Sequence, residues 1–319
     1  MAAEARAARN VALGGAQVAS RFGNLSVGSG LQAAVCARDR VRLCHLDGAS
    51  EPVDVCVPLA RTVLQARFVS LDCVEYLALA SNAGLHLFSA DGASLSGSLE
   101  IGKFPRHPNL NPAIAEACTT VEGVHGSSLL AAGTSQGQLA ILHFDASRGR
   151  LSVEHSLDSQ SGCNITALAT SIAYVASGDE DGNIRVWDAS NFSETSMFRF
   201  PGAPCSGMLV RGQELVAAFG TGQIRAYNIA HEHQLYEFDA HCRSLNAIAL
   251  HATRQLLASV GEDGFLNVWE LPKGDRGTVR LLSSSHHKDA FHTGVAFSQE
   301  ETSRIVTAAY DHGMILVWS

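Results

Sequence analysis

The eight cysteines, at 36, 44, 56, 73, 118, 163, 205 and 242, never approach one another more closely than eight residues. There is no C-x-x-C pair, and no Cys/His group has the tight spacing of a structural zinc site. The thiols read as small hydrophobes in a reducing compartment. No stretch approaches the roughly 18 uninterrupted apolar residues of a membrane helix, and Met1 to Asn10 lacks the apolar run of a secretory signal. The expectation is therefore a cytoplasmic protein with no membrane insertion. Charge is also scarce, at 17% of residues, and its balance is 23 basic against 31 acidic, or −8. A phosphate-tracking surface needs clustered Lys and Arg, so nucleic acid is an unexpected partner.

Catalytic signatures are missing as well. The sequence has no phosphate-binding glycine loop, no G-x-S-x-G elbow and no H-E-x-x-H helix. His231-Glu-His233 and His286-His287 are the dense histidine groups, and both fall between strands, where they read as loop histidines. No cofactor or metal is expected.

What is present is glycine, 29 of 319 residues, and a hydrophobic share of 46%. Such a chain has apolar residues for a large core and turns for many short strands. Its order lies in a repeat. Ala176-Ser-Gly-Asp-Glu-Asp-Gly-Asn-Ile-Arg-Val-Trp187 matches Ala258-Ser-Val-Gly-Glu-Asp-Gly-Phe-Leu-Asn-Val-Trp269 nearly position for position. Each reads as a β-hairpin: a small-residue strand, an Asp-Gly turn, then an alternating apolar strand ending on Trp. Weaker copies occupy 35–44, 79–88, 131–141, 217–227 and 307–318. The turn glycine or its equivalent stands at Arg40, Gly84, Gly137, Gly182, Gly222, Gly264 and Gly313, at intervals of 40 to 53 residues. That is near the ~40–45-residue spacing of a propeller blade. The fold expected is all-β, a seven-bladed β-propeller over residues 10–319, with residues 1–9 as a flexible N-terminus. The last copy ends at its third strand, so the outermost strand of blade seven must come from elsewhere, and Asn10 to Val18 is the natural donor.

These repeats resemble the WD-repeat family. In that family a His, a Ser or Thr, an Asp and a Trp form a hydrogen-bonded chain inside each blade. The resemblance assigns those roles to His241, Ser259, Asp263 and Trp269 in blade six. It assigns three of them to Ser177, Asp181 and Trp187 in blade four, where Ser161 replaces the His, and to Thr307, Asp311 and Trp318 in blade seven, whose hairpin has one extra residue. One branch of the family fits further. Pro201-Gly-Ala-Pro-Cys205, Ala217 to Ile224, Asp239-Ala-His241 and Val260 to Asp263 stand in that branch's order, with Asn24 to Val27 and Val306 to Asp311, whereas Phe104 to Pro112 departs from it. The resemblance implies a non-enzymatic cytoplasmic interaction protein, with signalling or ciliary associations in that branch and vesicle association as a further localisation.

Binding is the activity expected, with other proteins as partners and the chain acting as a monomer or as a subunit of a larger complex. The hairpins between second and third strands gather on one face of a propeller, placing Asp39, Asn82, Gln136, Glu180, Thr221, Glu262 and Tyr310 on its rim. Asp179, Glu180 and Glu262 make that rim acidic and lean it towards a basic partner. The 102–112 insertion carries Phe104, Arg106 and His107: either Phe104 is an exposed anchor for a partner, or it plugs the seam between blades two and three. Alternatives to a scaffold are a reader of basic, histone-like peptides and a hydrolase working in the central channel. Against the hydrolase, the innermost strands Ile165-Thr-Ala-Leu168 and Leu245-Asn-Ala-Ile248 bring almost no charge to that channel.

Overall fold

The structure, a computed structural model, describes residues 7–14, 18–19, 23–48, 50–106, 116–158, 162–272, 277–298 and 304–318. It is a β-propeller of seven four-stranded antiparallel sheets. The two strongest repeats form the middle strands of their blades: Tyr174–Asp179 pairs with Asn183–Asp188, and Leu256–Gly261 with Phe265–Glu270. The alternation seen in the sequence is the alternation of burial, with Ile184, Val186 and Trp187 inside and Asn183 and Arg185 partly solvated. Gly182 and Gly222 close their hairpins at φ 79° and 95°, a left-handed backbone that a side chain would strain. A Cβ at either would also meet a carbonyl oxygen of the next loop, Phe200 O at 2.0 Å or His241 O at 2.2 Å.

The blades are stapled by a device that repeats at the innermost strands. The first and third residues of these strands pair across a register shift, for example Ile165/Ala167, Leu245/Ala247 and His292/Gly294, so the residue between them is a bulge. That residue is short and polar, and it reaches the next blade. Thr119 donates to Ile165 O at 2.7 Å, Thr166 to Cys205 O at 2.6 Å, and Asn246 to His292 O at 2.7 Å. Thr293 Oγ1 donates to Asn24 Oδ1 at 3.1 Å, across the seam between the last blade and the first.

Ring closure differs from expectation in register. The outer strand of blade seven is Ala7–Ala12, not Asn10 to Val18, and it pairs Ala7 with Trp318 and Ala12 with Met314. Residues 7–9, expected to be a free end, therefore belong to the sheet. The reason is length: Met314–Trp318 offers five residues, and beyond Ala12 the chain enters a turn with Gly14 at φ 58°. Val18 is buried in the cluster of Val11, Leu13, Leu25 and Val317, and its carbonyl accepts from Asp311 N–H.

Candidate functional site

One face of the ring is built by a recurring backbone bond. The first tip residue of each hairpin donates its N–H to the loop that enters the innermost strand of its own blade: Asn82 to Thr62 O, Glu180 to Asn164 O, Glu262 to Ser244 O and Tyr310 to Phe291 O. Hairpin tips and entry loops are thereby held together as one surface. Glu180 and Glu262 are exposed there, with Glu180 Oε1 turned back to accept Asn164 N–H at 3.3 Å. Asp179 is not part of the acidic rim. It is buried, and its carboxylate accepts from Asp181 N–H, Asn183 N–H and the Asn183 amide, caging the turn. Gln136 is buried too.

Beneath this face the blade-six residues form a continuous chain. The Trp269 indole donates to Ser259 Oγ at 2.9 Å, and Ser259 lies 2.8 Å from His241 Nε2. His241 Nδ1 meets Asp263 at 2.9 and 3.1 Å. With the indole N–H already on Oγ, the hydroxyl donates to Nε2 and Nδ1–H donates to the carboxylate. Burial raises the Asp263 carboxyl, but the His241 hydrogen bond and the electrostatic pull of its Nδ1–H, with the N–H groups of Phe265 and Cys242, overcome this and hold it at about 2. Ser259 is fully buried, with two partners on its hydroxyl, so this Ser-His-Asp set presents no nucleophile to solvent.

Blades four and seven realise less of the pattern. In blade four Ser177 and Trp187 are buried but share no hydrogen bond, and Trp187 packs among Val124, Ile165 and Val175. Asp181 accepts instead from the Cys163 thiol at 3.0 Å. Burial, then the Asp181 hydrogen bond, pushes that thiol up to about 12, so it is no nucleophile at neutral pH. Ser161 lies outside the described residues. In blade seven Trp318 donates to Thr307 Oγ1 at 2.9 Å, but Asp311 is exposed at φ 58° and joins nothing beneath it. The extra hairpin residue moves the left-handed position from the glycine to Asp311, which turns its carboxylate outwards. Nearby, His292 is wholly buried with neither ring nitrogen bonded. Burial, followed by the neighbouring His287 and His312, lowers it to about 4.

The insertion resolves against an exposed anchor. Phe104 is 5% exposed and sits in a cluster with Leu99, Cys118, Leu130 and Leu142, between blades two and three. An aromatic beside a sheet seam gains more from burial there than from solvent. Arg106 is exposed and paired with Glu116 at 3.4 Å, while His107 lies outside the described residues. Tyr310 is 46% exposed, and its backbone partner Phe291 is 44% exposed. Phe291 was not expected from the sequence, since an aromatic next to an inner strand reads as core.

The central channel also departs from expectation. Its cavity of about 410 Å³ is lined by apolar residues such as Leu168, Met208 and Ile248 together with polar ones such as Gln65, Thr166 and Ser206, and Arg67 and Glu122 line it too. Their closest approach is 3.6 Å, and burial raises the Glu122 carboxyl against the pull of Arg67. Blades two and three supply these charges, whereas the strands of blades four and six are as free of them as their sequences suggest. Among the described residues no group of three His, Cys, Asp or Glu is arranged to hold a metal ion, and no helix is long and apolar enough to cross a membrane.

Comparisons with known proteins agree with this geometry. The family model described as WD domain, G-beta repeat, matches residues 152–188 and 232–270, which end on the third strands of blades four and six. WD repeat-containing protein 54 of Mus musculus is 23% identical over 269 residues, 80% of this chain and 77% of that protein. Its Homo sapiens counterpart is 23% identical over 278 residues, 82% and 79% of the two chains. This is the branch that Pro201 to Leu271 resembles. Shk1 kinase-binding protein 15 of Schizosaccharomyces pombe is 27% identical over 125 residues, 38% of this chain and 37% of that protein. A chain in the solved structure titled "Crystal Structure of Mitotic Checkpoint Complex" superposes with a TM-score of 0.79 at 15% identity, over 98% of this chain and 90% of that one. At that identity the match establishes shared fold.

Proposed function

Starting from a chain that belongs to the WD-repeat family, we propose a non-catalytic scaffold that docks a basic protein segment on the hairpin face of blades six and seven. A WD-repeat propeller supports a protein-interaction role in general. The observation that carries the finer reading is the pair Phe291 and Tyr310. Two large aromatics stand nearly half exposed on one surface, joined by the Tyr310 N–H to Phe291 O bond at 2.8 Å. Exposed aromatics held by backbone are ordered before a partner arrives, so little entropy is lost on binding. Glu262 on the neighbouring tip and Asp311 beside Tyr310 are exposed acids, which favour a basic segment and speed its encounter. The buried Ser259 hydroxyl supports the absence of catalysis. A relative named for binding a kinase supports a signalling context, and the cytoplasm is the compartment proposed.

Affinity capture from the source cell, quantified by mass spectrometry, tests this. We expect partners recovered by the natural chain to be lost with Phe291→Ala/Tyr310→Ala and weakened about tenfold by Glu262→Lys. Both variants should melt like the parent. An unchanged partner list would remove the site from this face, and turnover of a hydrolysable substrate would overturn the non-catalytic reading.

A further inference from the structure

On the same face, at the seam between blades one and two, the chain builds a second surface of opposite character. Leu59 is 94% exposed, at φ 64°. A leucine pays both for solvent contact and for left-handed backbone, and such an expense in a well-tied loop points to use. The loop is well tied. Ala60 N–H bonds Val57 O at 3.3 Å, Arg61 and Thr62 N–H bond Asn82 Oδ1 at 3.0 and 3.2 Å, and Val63 N–H bonds Arg38 O at 3.2 Å.

The last of those bonds brings the hairpin of Arg38 against the loop of Arg61. Both arginines are exposed, and among the described residues neither guanidinium forms an ion pair or hydrogen bond. Their nearest sister, Arg40, is committed: it grips Asp39 at two 3.0 Å contacts and reaches Asp54 at 3.2 Å, while Arg42 holds Asp54 at 2.6 Å. Asp39 and Asp54 are thus held by Arg40 and Arg42, and Arg38 reaches Asp39 only through space, so Arg38 and Arg61 keep guanidiniums open to a ligand beside a protruding leucine.

We propose that Leu59, Arg38 and Arg61 form a docking surface for an acidic peptide segment, one carrying carboxylates on either side of an apolar residue. The apolar residue packs on Leu59, and the carboxylates take the two guanidinium forks, whose planar geometry matches them bidentately. A loop already fixed by Asn82 and Arg38 loses little freedom on binding. The surface is separate from the aromatic pair on blade seven and opposite in charge preference, so the two serve different segments.

The test is fluorescence anisotropy with a fluorescein-labelled nonapeptide of Glu and Asp with a central Phe. Control peptides have Lys for every acid, or phosphoserine for every acid. Saturable binding of the acidic peptide is expected, weakening as salt rises from 50 to about 300 mM because surface charge is screened. Arg38→Glu/Arg61→Glu should weaken it at least about tenfold, and Leu59→Gly about threefold or more. Leu59→Gly also relieves the left-handed leucine, so its melting temperature should stay level or rise, which separates lost contact from lost fold. Phe291→Ala/Tyr310→Ala should bind the acidic peptide unchanged, keeping this outcome independent of the blade-seven reading. No saturable binding, equal binding by Arg38→Glu/Arg61→Glu, or tenfold preference for the phosphoserine peptide would each overturn the proposal.

Discussion

Blades six and seven share a Ser or Thr, an Asp and a Trp at nearly the same spacing, and they fold to different ends. In blade six the hairpin turns at Gly264, φ 78°, so Asp263 points down to His241 and the chain through Ser259 to Trp269 closes. In blade seven one extra residue puts the left-handed turn on Asp311 itself, its carboxylate goes to solvent, and the Trp318–Thr307 bond remains by itself. Blade seven then holds a buried histidine with no partner at a strand position that Leu245 fills in blade six. A buried polar network is favourable when complete and costly in pieces. The motif's value therefore depends on turn length: one added residue leaves blade seven with a single bond of the chain and a buried histidine that makes no hydrogen bond.

The largest expected effect comes from breaking the complete chain. His241→Ala strands the Asp263 carboxylate and the Ser259 hydroxyl, and should cost about 3–5 kcal/mol in denaturant unfolding. Next is acid sensitivity from blade seven. A histidine whose folded value is lowered stabilises fully above its unfolded value near 6.5, and that contribution is lost as pH falls towards about 4. The shift corresponds to about 3 kcal/mol. Melting between pH 7 and 4 should therefore show a loss that His292→Leu reduces, the remainder coming from His86, His251 and His287, which burial also lowers; an identical pH profile in that variant would refute the assignment. Asp263 contributes only in a lower window, between its unfolded 3.8 and about 2, so the two are separable. Smaller still, Trp318→Phe removes the single bond to Thr307 and should cost about 1 kcal/mol. Smallest is Asp311→Asn, within about 0.5 kcal/mol, because asparagine tolerates the left-handed turn and the carboxylate holds nothing. If Asp311→Asn proved as costly as His241→Ala, the contrast between the blades would collapse.

Much of this was legible from spacing. Asp-Gly turns and two-residue alternation at 40- to 53-residue intervals admit few architectures, and seven blades follow from counting them. The blade-six chain was legible because its hairpin length suits the motif. Asp311 was not: whether an inserted residue is absorbed before or after the turn depends on which φ the neighbouring loops leave open.

Local pattern by itself determined strand identity, blade number and the hairpin face, since each rests on contacts within a single blade. Tertiary packing alone decided the burial of Phe104, the register of Ala7–Ala12 on Met314–Trp318, the charges of Arg67 and Glu122 in the channel, and the exposure of Phe291 and Leu59. Each is an encounter between blades or across the closure of the ring. A side chain's pattern states which face of its own strand it takes. What stands opposite that face is supplied by a neighbour tens or hundreds of residues away.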